Sequence, residues 1–87
     1  METSQFINLL DQLLNELVPK LNAKPIQVSF PLVELTNVPI IINLKFPVLP
    51  SVESDMEKCK AYANEHNLEI SYTGVSLSYY LLTFIKS

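Results

Sequence analysis

The chain opens on an apolar pattern with a helical period. Ile7, Leu10, Leu14, Leu17 and Leu21 recur at alternating steps of three and four, and Phe6, Leu9 and Leu13 form a second stripe beside them. This predicts a helix over residues 4–18. Thr3 or Ser4 can cap it, and Pro19 ends or kinks it by removing a donor and clashing with the preceding turn. The combined apolar arc is wider than the roughly 100° stripe that one core contact needs. The stripe of Phe6, Leu9 and Leu13 is therefore expected to meet a second neighbour.

From Pro25 the period changes to two. Ile26, Val28, Phe30 and Leu32 alternate with Gln27, Ser29, Pro31 and Val33 as strand one, and Thr36-Asn37-Val38-Pro39 reads as a turn. In strand two Ile40, Ile42, Leu44 and Phe46 form one face, with Ile41, Asn43 and Lys45 on the other, before Pro47 and Pro50. Ser54-Asp55-Met56-Glu57 has the spacing of a capping box, and Ser51 is an alternative start. The second helix is expected to reach about Asn67, burying Val52, Met56, Cys59 and Ala63 with Tyr62 alongside. Leu68, Ile70 and Tyr72 then alternate with Glu69, Ser71 and Thr73 as strand three. Thr73-Gly74 suits a tight hairpin, with strand four from Val75 to Ile85.

The expected architecture is a single α+β domain over residues 1–87, a two-layer αββαββ sandwich. Its four-stranded, mostly antiparallel sheet carries both helices on one face. The order resembles a circularly permuted ferredoxin-like fold, which requires the sheet order 3-4-2-1. Pro31 inside strand one and Glu69 on strand three suit edge positions.

Composition narrows the chemistry. Eighty-seven residues leave room for one core, and a chain of this size is marginally stable without help. Cys59 is the only cysteine and His66 the only histidine, so neither an internal disulfide nor a tetrahedral zinc site can form from them. On one helix they stand about 10 Å apart along the axis, too far for a nucleophile and its base. Cys59 is expected in the core and His66 in the solvated last turn. Glu53, Asp55 and Glu57 complement the dipole at the start of the second helix. A single glycine, Gly74, leaves no phosphate-cradling loop, and no cofactor is expected.

Nine acids against six lysines give a net charge of −3, with no arginine. Nucleic acid and anionic membrane are poor partners for such a surface. The first residues lack the basic region of a signal peptide, and a lone cysteine suits a reducing cytoplasm. The lean to Lys, Ile and Asn suits an AT-rich genome, such as that of a virus or mobile element.

Hydrophobic residues make up 48% of the chain and mean hydropathy is positive. With both helices on one sheet face, the bare face would carry Val33, Leu35, Ile41, Tyr80, Leu82 and Phe84. The functional expectation is a non-enzymatic protein-interaction module that forms a homodimer. Its contacts would be Ile41, Tyr80, Leu82 and Phe84 on the sheet, and Phe6, Leu9 and Leu13 on the first helix. One alternative is a small acidic viral or mobile-element effector that binds and inhibits a host protein. Another is a single-stranded nucleic-acid binder that stacks bases on Tyr80 and Phe84.

Overall fold

A computed structural model describes residues 3–30 and 39–86, with side chains from Phe6 onward. The first helix begins as an α-helix, Thr3–Gln12 (α1), continues as a π-helical turn over Leu13–Leu17 and closes as a 3-10 turn over Val18–Lys20. Leu9, Leu13, Leu17 and Leu21, spaced four apart, are all buried. A strict four-residue repeat overshoots an α-helical turn by about 40° per step. The wider π turn takes up that overshoot and keeps the leucines facing one way.

Pro19 stands in the first turn of the 3-10 segment, and by Leu21 the backbone is extended. Lysines reach the carbonyls at this end, as cations at a helix C-terminus do. Lys24 Nζ donates to the carbonyl oxygens of Val18 (2.8 Å) and Leu21 (2.6 Å), and Lys58 Nζ to that of Lys20 (2.9 Å).

The sheet comprises Gln27–Ser29 (β1), Ile40–Pro47 (β2), Glu69–Gly74 (β3) and Tyr79–Lys86 (β4), ordered β1-β2-β4-β3 with every pairing antiparallel. Strands two and four are central and one and three lie at the edges, as the sequence requires. The ferredoxin-like analogy goes no further than this order. The expected continuation of strand one through Pro31, Leu32 and Val33, together with Glu34, Leu35 and the turn from Thr36 to Val38, lies outside the described residues.

The second helix, Val52–Glu65 (α2), starts after Ser51, the alternative start, whose side chain makes no capping hydrogen bond. Ser54 and Glu57 therefore lie inside the helix, and the expected capping box is not formed there. The helix ends in a Schellman arrangement. Asn67 takes a φ of 56°, Leu68 N–H donates to the Ala63 carbonyl at 2.8 Å, and Asn67 N–H to that of Asn64 at 3.4 Å.

The core lies between the helices and one sheet face. Ile40, Ile42, Leu44 and Phe46 of β2 meet Cys59, Tyr62 and Ala63 of α2 and the leucines of the first helix in one cluster, against which Val52 and Met56 pack half-buried. The inward residues of β4 are Tyr80, Leu82 and Phe84, with exposures of 1%, 1% and 0%. This corrects the expectation that they face outward.

The reason is the loop between β3 and β4. A two-residue turn at Thr73-Gly74 would set Tyr72 opposite Val75. In fact Gly74 is the last residue of β3 and pairs with Tyr80, so Tyr72 stands opposite Leu82. The longer loop moves every residue of β4 to the other face. It is closed by Val75 and Ser76 N–H groups donating to the Tyr79 carbonyl (3.2 and 3.1 Å), and by Ser76 Oγ accepting from Ser78 and Tyr79 N–H (3.1 and 3.2 Å). Gly74 has no positive φ and supplies no turn.

Candidate interaction surfaces

Of the seven side chains expected at an interface, five are in the core. Tyr80, Leu82 and Phe84 lie beneath the helices, and Leu9 and Leu13 are 3% and 0% exposed on the inward side of the first helix. None of the five is available to a partner or to a stacked base. Phe6 is half-buried, its ring edge-on to that of Phe30 at 4.7 Å, and Ile41 is half-buried on the open sheet face.

The apolar arc of the first helix does leave one side uncovered, but it is not the side of Leu9 and Leu13. Ile7 and Leu14 are the exposed ones, at 55% and 37%. The signal that separates them is the unbroken four-residue leucine repeat running into Pro19, which follows a widened helix better than a regular one. Near the start of this helix lies the sheet edge at β1. Val28 pairs with Leu44 and so points to the helix layer, yet Ile26, Val28 and Phe30 remain exposed. Their alternation marks them as inward, yet the helices leave all three exposed. The Phe6–Phe30 contact joins helix and strand into one apolar margin.

The open sheet face is more mixed than expected. Ile41 stands opposite Ile85 and Lys45 opposite Leu81. Between them Thr83 Oγ1 donates to Asn43 Oδ1 at 2.7 Å, and Lys45 Nζ lies 4.9 Å from the centre of the Tyr79 ring. Ile41, Leu81 and Ile85 are half-buried by their neighbours, and polar pairs interrupt them.

A polar group sits under α2. Asp55, 1% exposed, accepts from the backbone N–H groups of Asn22 (2.9 Å) and Ala23 (3.0 Å) and from Asn22 Nδ2 (3.3 Å). It fastens the segment after the first helix to α2. A second tie runs from Tyr62 Oη to Glu16 Oε1 at 3.4 Å. Burial, then Glu16 and Glu65, hold the Tyr62 phenol above its ordinary range.

Cys59 is fully buried, and burial, helped by Asp55, pushes its thiol up to about 12. It is a protonated core residue at neutral pH and not an activated nucleophile. Burial also pushes the Tyr80 phenol up to about 12, with Cys59, Asp55 and Tyr72 adding to the effect. Its hydroxyl finds no hydrogen-bond partner among the described residues. His66 is exposed at the end of α2, its ring 4.2 Å from that of Tyr62.

Among the described residues no three of His, Cys, Asp and Glu are grouped to hold a metal ion, and no helix is long and apolar enough to cross a membrane. No protein-family model matches the chain, and no curated protein or solved structure matches it.

Proposed function

We propose that the chain is a non-enzymatic protein-interaction module that forms a homodimer through the margin between α1 and β1. Phe6, Ile7, Leu14, Ile26, Val28 and Phe30 are its apolar contacts. One observation carries this reading: Val28 of β1 faces the helix layer, and it and the flanking Ile26 and Phe30 stay exposed near an uncovered stripe of the first helix. Burying that margin against a second copy gains about 25 cal/mol per Å² of apolar surface, set against the cost of association. Exposed apolar side chains scattered singly mean little, whereas a joined set marks an interface.

Ile7→Lys with Leu14→Lys tests the proposal. Both side chains are exposed, so the double variant keeps the far-UV circular dichroism of the parent. Light scattering should show the parent as a dimer and the variant as a monomer. Equal masses for the two proteins would remove the margin from the interface. An acidic effector that uses the same margin on another protein would instead leave the parent monomeric on its own.

A further inference from the structure

The opposite edge of the sheet has different properties. β3 pairs with β4 without interruption from Glu69 opposite Ile85 to Gly74 opposite Tyr80, and among the described residues no strand pairs with its other side. Five of its six residues are exposed and the sixth, Ile70, is half-buried. Alternate residues of such a strand turn both N–H and C=O away from the sheet. Proteins usually blunt these edges with proline, lysine, bulges or very short strands. β3 has none of these, and carries only the acid Glu69 at its start. By contrast β1 has three residues, with Pro25 and Pro31 close on either side.

A second feature runs along this edge. Val52, Glu53, Met56, Glu57 and Lys60 form the flank of α2 above β3, and with the Tyr72 ring they line a groove of about 320 Å³. The spacing of four places these helical residues on one side of α2. A strand added to β3 would send every second side chain into this groove, beside Ile70 and Tyr72. The intervening side chains would lie next to Glu69, Ser71 and Thr73, which share the opposite sheet face.

We propose that β3 and the flank of α2 dock an extended, basic segment of another polypeptide as a fifth strand of the sheet. Main-chain hydrogen bonds to β3 supply affinity, and the side chains in the groove supply selectivity. Val52, Met56 and Tyr72 favour an apolar side chain. Glu53 and Glu57 above the strand, with Glu69 at its end, outnumber Lys60 and favour lysine or arginine. A second copy is a poorer occupant, because pairing β3 with itself sets the α2 flanks of both chains, with Glu53 and Glu57, against each other. The site lies at the far edge of the sheet from the dimer margin, so it does not depend on that reading.

Selection of random peptides of about ten residues on the immobilised full chain tests the proposal. Selected sequences should alternate apolar and polar positions and be rich in lysine or arginine. A synthetic peptide of the selected sequence should slow hydrogen exchange at alternate amides of β3. N-methylation at every second peptide position should weaken it about tenfold, with little effect at the positions between. Glu53→Lys with Glu57→Lys, both exposed, should also weaken it about tenfold without changing the circular dichroism. The proposal is overturned if no sequence is enriched above background, if β3 amides are unaffected by bound peptide, or if the charge reversal has no effect. Protection of the β3 edge by a second copy in the peptide-free protein would overturn it too.

Discussion

Tyr80 shows how a single side chain's position decides what it can do. Its ring lies 5.4 Å from Phe46 and 5.6 Å from Tyr72 in the core, and its hydroxyl is buried without a partner among the described residues. Removing an unsatisfied hydroxyl is close to neutral, so Tyr80→Phe should change stability at pH 7 by no more than about 1 kcal/mol. Urea unfolding measures this, and a loss of several kcal/mol would mean that the hydroxyl is satisfied. Tyr80→Glu, placing a charge in the same position, should abolish folding.

The pH dependence follows from the same burial. Tyr80 rises from an ordinary 10 to about 12, and Cys59 from 9 to about 12. Both are neutral acids that the fold keeps protonated. The unfolded chain gives up these protons first, so this stability is complete below pH 9 and declines as pH rises from 9 towards 12. Tyr80→Phe should make the decline shallower above pH 10. Asp55 carries a different lesson, that a buried carboxyl side chain with three donors is structural. Asp55→Ala strands the N–H groups of Asn22 and Ala23 and should cost about 3 kcal/mol in the same urea experiment.

At the scale of the elements, much was legible because period and burial agree. The two-residue alternation of Ile40 to Phe46 identified the inner face of β2 correctly, and the fold class and strand order followed. Strand four resisted because Leu81 to Ile85 is apolar on both faces, so its own pattern cannot fix which face is inward. Only the hairpin could decide, and Thr73-Gly74 looked like a turn while Ser76 makes the actual one through its hydroxyl. The first helix misled for a related reason, since a regular 3.6-residue period does not anticipate a π turn. No local sequence signal shows that Ile26, Val28 and Phe30 stay exposed.

Gly74→Ala tests the corrected hairpin directly. The backbone there is compatible with alanine, and an added Cβ would meet the Tyr72 hydroxyl oxygen at 4.0 Å, an ordinary contact. The substitution should leave stability unchanged or raise it by about 0.4–1 kcal/mol through the unfolded chain. A turn glycine with positive φ would instead make alanine destabilising. Thermal unfolding of the variant separates the two.

For the whole molecule, the two edges of the sheet differ in chemistry. The β1 edge is apolar on its helix side and touches the first helix through Phe30 and Phe6, whereas the β3 edge is longer, open along its backbone among the described residues and rimmed by acids. A dimer joined at the first leaves the second on the outside of each copy. The self-association account rests on the first edge, and sedimentation velocity over a wide range of protein concentration addresses it most directly. The sedimentation coefficient of the parent chain should rise with concentration from that of a monomer to that of a dimer and then level off. A coefficient that stays monomeric up to the highest soluble concentration would contradict the account.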